Sequence, residues 1–218
     1  IAIFIMAVIH MFSLVIASSP KENNSNKDGI FRELKRVVGN KDIIKIMLIS
    51  VIWNIASYFS TPFFPTYELN ELGFSNFYAS GVLLAIYSVI RISASVPLGK
   101  YADKTSFCKM EMICFCVAGA SFLLNTFTVP GNGKVMFTIY YAMHAFSLAG
   151  INSCIINLIF DYVETENRAV ILGFQSAIAG ICGFCSTLAG SALLTYIQQN
   201  GNRFLGMHVY AQQVLSFV

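Results

Sequence analysis

Charge is what this sequence has least of. Asp, Glu, Lys and Arg make up 11% of its 218 residues, against about 25% in an ordinary soluble domain. That scarcity excludes a conventional water-facing surface for most of the chain. Tryptophan occurs once and proline five times, so little interrupts helix formation. No Lys/Arg-rich run interleaved with aromatics is present, which argues against nucleic-acid binding. The chain has no Gly-x-x-x-x-Gly-Lys-Ser/Thr loop to cradle a nucleotide. It also has no His-Glu-x-x-His, no Gly-x-Ser-x-Gly and no acidic pair within an apolar stretch, so no enzyme, metal centre or cofactor is expected.

What is present is apolar and comes in long blocks. The chain is 56% hydrophobic, with a mean hydropathy of +0.66. A helix crosses a hydrocarbon core of about 30 Å with roughly 20 apolar residues. Blocks of that kind occupy 1–17, 43–67, 76–98, 110–129, 135–160 and 169–197, and a seventh begins near Gly206. Glu68 and Glu71 mark a short turn after the second block. Pro130-Gly-Asn-Gly133 closes the fourth with strong turn chemistry. Backbone amides in lipid must be paired within the segment, so the blocks read as helices. A barrel would need alternating segments of about ten residues. The expected fold is therefore all-α, a multi-span transmembrane helical bundle. Position 1 is Ile, no basic segment precedes the first block, and the last block runs to Val218. A signal peptide is a poor reading, and both ends are expected to fall inside spans.

Lys and Arg set the orientation. The first, third and fifth connectors (18–42, 99–109 and 161–168) hold ten of them. The second, fourth and sixth hold only Lys134 and Arg203. The alternation predicts a serpentine bundle with the odd connectors in the cytosol. Within the first connector, Ile30, Phe31, Leu34, Val37 and Val38 share one helical face between a capping Asp28 and Gly39. A basic amphipathic helix at the membrane surface fits this; a helix packed on neighbouring loops fits equally.

The third connector reads Gly99-Lys-Tyr-Ala-Asp-Lys-Thr-Ser-Phe-Cys-Lys109. It resembles the Gly-x-x-x-Asp-Arg/Lys-x-Gly-Arg-Lys/Arg signature of the major facilitator superfamily. Gly99, Ala102, Asp103 and Lys104 match, while Ser106 and Phe107 stand where Gly and Arg are usual. That degradation is similar to the signature's second copy, between the eighth and ninth spans. The resemblance implies the C-terminal six-helix half of a transporter. Residues 1–17 would end the sixth span, 18–42 would be the central cytosolic loop, and 43–218 would be the seventh to a partial twelfth span. It further implies a multi-pass protein of the plasma membrane, a small-molecule substrate and an N-terminal helical half as partner. Secondary or facilitated transport by alternating access is the expected activity. A transport-dead sensor or assembly protein on the same fold is the alternative.

The resemblance gives the connector residues a gating role. Gly99 permits close backbone approach. Asp103 can sit at a helix N-terminus of the other half. Lys104 can pair with Asp161 or Glu164, with Arg168 at the same end. An ordinary surface charge cluster is the plainer reading.

Candidates for the substrate path follow from polar residues at membrane depth. Arg91 is the only charged residue deep within a block, with Ser88 and Ser95 on its face and Tyr87 beside it. Its guanidinium either grips an anionic substrate group or serves structurally, reaching carbonyls or the interface. Ser50, Asn54, Ser57, Thr61 and Pro65 form one stripe on the second block, flanked by Trp53 and Tyr58. They line a path or bond neighbouring helices. Pro62 and Pro65 are expected to bend that helix. Tyr140, His144 and Ser147 share a face of the fifth block; His144 either relays a proton or packs. No Asp or Glu is expected deep in any span. Gly173, Ser176, Gly180, Gly183, Thr187 and Gly190 form a small-residue face for close helix packing, from which Gln175 reaches a cavity. Cys182-x-x-Cys185 lies in an apolar helix without His, Asp or Glu nearby and reads as packing.

Overall fold

Prolines shape the first helix of the structure. The computed structural model describes residues 39–218, except Glu164, Glu166, Asn167 and Leu205 and the side chain of Asp42. The expectations for 1–17, for the amphipathic helix of the first connector and for Glu164 fall outside the described residues. The first apolar span, α1 (Ile43–Glu71), belongs to a helix that opens as regular α-helix over Lys41–Ser60. Asn40 Oδ1 accepts from Ile43 N at 3.4 Å at its start. Pro62 and Pro65 cannot donate to the ladder. The helix tightens to a 3₁₀ turn at Thr61–Phe63 and widens to π turns over Tyr67–Glu71. Glu68 and Glu71 therefore do not mark the turn expected of them. The helix runs through both, and the chain reverses at 72–75, where Gly73 takes a φ of 66°.

Four further spans follow: α2 (Tyr78–Lys104), α3 (Phe107–Asn125), α4 (Gly133–Tyr162) and α5 (Arg168–Gln199). α2 begins with π turns at Tyr78–Leu83 and continues as α-helix to Lys104. The basic connector of 99–109 thus shrinks to Thr105 and Ser106. Ser106 Oγ accepts from Lys109 N at 3.2 Å and caps α3. After α5 a small hairpin, β1 (Arg203–Phe204) and β2 (Met207–His208), precedes α6 (Ala211–Phe217). The last helix accordingly starts at Ala211 and not near Gly206, because Gly206 sits in the hairpin turn with a φ of 82°.

Five helices in series give the bundle two ends. The proximal end carries the start of α1 and the α2–α3 and α4–α5 connectors. The distal end carries the other connectors and the hairpin. α4 is the most enclosed helix. α2 and α3 pack against α4, while α5 packs mainly on α1. At the distal end Phe64 and Tyr67 of α1, Phe74 and Leu83 around the start of α2, and Phe137 and Tyr140 of α4 form a dry aromatic core. Phe64 meets the Tyr140 ring edge-on at 4.9 Å. The outward faces are apolar: Val89, Ile92 and Val96 on α2 and Ile181 and Phe184 on α5 are all exposed. Such an apolar surface is unsuited to water and suits acyl chains.

Polar bonds seat the last helix. Gln212 Nε2 donates to Ser60 O and Oγ at 3.1 and 2.9 Å. Asn125 Nδ2 donates to Ser216 Oγ at 3.1 Å, and Gln213 Nε2 to Thr128 O at 2.9 Å. These bonds fasten α6 to α1 and α3, where each polar group needs a partner away from water.

Candidate functional site

The polar stripe of α1 does not face a uniform helix contact. It lines a cleft of about 570 Å³ bounded by α1, α4 and α5 in the proximal part of the bundle. α1 contributes Ser50, Trp53, Asn54, Ser57, Tyr58 and Thr61. α4 contributes His144 and Asn152 among aliphatic neighbours, and α5 contributes Gln175 and Ser176. Among the described residues, no Asp, Glu, Lys or Arg lines it. The helices place these groups by 3.6-residue periodicity: the α1 positions repeat on one face.

Some lining groups are tied down. Gln175 Nε2 donates to Ser50 Oγ across α5 and α1. Asn54 Nδ2 donates to Ser50 O at 2.8 Å, and Thr61 Oγ1 to Ser57 O at 2.7 Å. Others are unengaged. The side chains of Ser57, Asn152 and Ser176 and the Tyr58 hydroxyl make no hydrogen bond to any described residue. His144 is buried, and its Nδ1 has no hydrogen-bond partner among the described residues. The imidazole stacks on Tyr140 at 5.2 Å and near Trp53 at 6.2 Å, and meets Phe122 edge-on at 5.4 Å. No carboxylate or hydroxyl lies within its hydrogen-bond reach among the described residues, so it has no proton-relay partner there.

The structure divides the sequence-derived path residues into two groups. Asn54, Ser57, Tyr58, Thr61, His144 and Gln175 meet in the cleft. Tyr87, Ser88, Arg91, Tyr140 and Ser147 do not line it. Ser88 is exposed and bonds Leu84 O at 2.8 Å. Arg91 Nη1 donates to Tyr87 Oη at 3.2 Å, with its guanidinium 5.8 Å from that ring. Tyr140 belongs to the distal aromatic core, and Ser147 Oγ donates to Met143 O at 2.9 Å.

The connector residues separate as well. Gly99 is a helical residue of α2, and a Cβ built there meets nothing within 4 Å. Asp103 and Lys104 are exposed in the last turn of α2. Lys104 forms no ion pair with Asp161, which is itself exposed. Arg168 instead closes the end of α4: its Nη2 donates to Phe160 O at 2.9 Å and its Nε to Val163 O at 3.2 Å. The guanidinium also sits 4.7 Å over the Phe160 ring. A cation on terminal carbonyls is favoured by the helix macrodipole.

Two carboxylates near the ends of spans, rather than deep within them, are buried by neighbouring helices. Glu68 is 2% exposed, and Tyr141 Oη donates to its Oε1 at 2.9 Å. Glu111 is 5% exposed, with Oε1 unpartnered among the described residues, beside an apolar groove between α1 and α3. Glu68 reads as a turn marker because the helix was expected to stop before it. It stands about five helical turns beyond Ser50, on the continuation of the same stripe.

A helical bundle with an apolar exterior and a polar cleft among its spans defines a multi-span integral membrane protein. The profile of the Major Facilitator Superfamily matches residues 1–197, and the chain belongs to that family. It is 27% identical over 159 residues to the tetracycline resistance protein, class H, of Pasteurella multocida. That alignment covers 71% of this chain and 38% of the relative, so the chain spans well under half of that protein. No solved structure matches.

Proposed function

We propose that this chain supplies the C-terminal six-helix half of a secondary or facilitated transporter of the plasma membrane. It moves a small solute by alternating access against an N-terminal half. In this reading residues 1–17 end the sixth span, 18–42 form the central cytosolic loop, and 43–218 run from the seventh into the twelfth span. The carrying observation is the α1–α4–α5 cleft. Unengaged hydroxyls and amides that open onto a cleft inside a bundle with an apolar exterior suit a solute path between the spans. Membership of the family and the likeness to a tetracycline resistance protein support the same reading. The odd connectors face the cytosol, and no catalytic step is involved.

Asp103 supports the gating part. A carboxylate in the last turn of a helix stands at the unfavourable end of its macrodipole. It forms no ion pair with a described residue, so α2 gains nothing from it. A helix N-terminus in the other half would complement it. Proteoliposomes containing the whole protein test the reading with a panel of small solutes. At least one solute is expected to cross faster than through empty vesicles, and Ser57→Leu, which fills the cleft, abolishes that flux. Asp103→Ala slows the flux several-fold while membrane insertion is unchanged. Absence of flux for every solute rejects the transporter; an unchanged rate in Asp103→Ala rejects the gate.

A further inference from the structure

Arg91 is the middle residue of the 27-residue span α2 (Tyr78–Lys104). At 1.5 Å per residue each end of the span is about 20 Å away, farther than an arginine side chain reaches, so the guanidinium stays at membrane depth. Helical spacing sets Ser88, Arg91 and Ser95 on a strip of α2. On one side of it runs the buried line Ala94, Leu98 and Ala102, whose Leu98 lies beside Gly150 of α4. On the other runs the exposed apolar line Val89, Ile92 and Val96. The half-buried Arg91 is therefore neither sunk in the α4 contact nor turned fully to lipid.

Its bonding is incomplete. A guanidinium carries five N–H donors. Among the described residues it makes one hydrogen bond, from Nη1 to Tyr87 Oη at 3.2 Å. The two buried carboxylates do not serve it: Glu68 is bonded to Tyr141, and Glu111 borders the α1–α3 groove. A cation at this depth calls for an anion. Tyr87 adds to the same demand. Its oxygen accepts from Arg91, which leaves the phenol proton free to donate. The pair thus offers hydrogens in excess of acceptors, an arrangement that a carboxylate or phosphate fits and an ammonium group does not. The charge also reaches the cleft, because Arg91 acts electrostatically on His144 of the α4 wall. A solute in the cleft lies within that field.

We infer that Arg91 and Tyr87 form an anion subsite beside the α1–α4–α5 cleft, taking the carboxylate or phosphate of a solute whose body lies in the cleft. The inference rests on the cleft being the solute path. Lipid headgroups carry the same chemistry but lie about 15 Å from the bilayer centre, so a free solute is the source that fits the depth of Arg91.

Matched probes test it. Benzoate, phenyl phosphate and phenyl β-glucuronide are paired with benzamide, phenol and phenyl β-glucoside. Binding to the purified whole protein in neutral detergent is read by calorimetry. The anionic member of each pair is expected to bind about tenfold or more tighter than its neutral counterpart. Arg91→Gln removes that preference and leaves neutral affinity unchanged. Arg91→Lys keeps the preference but weakens anion binding several-fold, since the planar fork is lost. Tyr87→Phe weakens the anionic members alone, about fivefold. Phosphatidylglycerol added to the micelles leaves probe affinity unchanged.

Neutral probes binding as tightly as anionic ones, or no anionic probe binding at millimolar concentration, overturns the inference. An Arg91→Gln protein that melts lower yet keeps the original preference marks a structural arginine and overturns it too. Should Arg91→Gln fail to fold, unchanged anion affinity in Arg91→Lys does the same. Displacement of the probes by phosphatidylglycerol would give the subsite to a lipid headgroup instead. Anion binding without flux in proteoliposomes rejects the transporter reading and leaves the subsite standing. Flux of neutral solutes without anion binding does the reverse.

Discussion

Glu68 shows how much a single buried group depends on one neighbour. Its carboxyl sits among aromatic rings at the distal end, and Tyr141 is its hydrogen-bond partner in α4. Tyr141→Phe leaves the acid without that partner, a loss of about 1 kcal/mol or more. Thermal unfolding in detergent should show a lower midpoint for Tyr141→Phe. Glu68→Gln combined with Tyr141→Phe should cost less than the sum of the two single changes; strict additivity would mean that the pair is not coupled. The polar stripe of Ser50, Asn54, Ser57 and Thr61 was legible because 3.6-residue spacing survives in any helix. The Tyr141 bond and the Gln212–Ser60 bonds were not legible. They join positions 73 and 152 residues apart, and no local pattern encodes such pairs.

Among the elements, α5 separates two kinds of glycine that look alike in sequence. A Cβ on Gly190 would collide with the Phe59 carbonyl, and one on Gly183 would press on the Tyr58 ring. At Gly173 and Gly180 nothing lies within 4 Å. The small-residue stripe is therefore a contact with α1 over its distal part and an open surface over its proximal part. Gly190→Val is expected to lower the yield of folded protein sharply by forcing α1 from α5, while Gly173→Val is tolerated. The measurement is monodisperse protein recovered after extraction, and equal recovery would contradict the close α1–α5 approach. Connector lengths misled the sequence reading for a related reason. Lys100, Asp103 and Lys104 look like loop residues by polarity, yet helix propensity carries α2 through them. Polarity marks where lipid ends, not where hydrogen bonding ends.

For the whole molecule, the serpentine order makes a sidedness prediction. Single cysteines placed at Thr105 and Thr165 in a background lacking the native six should react with an impermeant maleimide from one face. A cysteine at Gly131 should react from the other. Thr105 and Thr165 labelling from opposite faces would refute the layout. The span order was readable because lipid imposes long apolar runs and the Lys/Arg alternation. The cleft as a shape was not, since it depends on which helices are neighbours. α1, α4 and α5 are brought together by packing between segments far apart in the chain. Arg91 illustrates the gap. Depth in the sequence marks it as a charge within a span, while its bond to Tyr87, one turn earlier on the same helix, is visible only in the structure.

The distal aromatic core binds α1, α2 and α4 into one joint, whereas α5 is held chiefly by α1. Two arms therefore extend from a common knuckle: α1 with α5, and α4 with α2 and α3. The cleft lies in the gap between them, on the side away from the knuckle. The width of the gap is therefore set by how the rings of that joint pack, since they are what holds α1 and α4 together at the distal end.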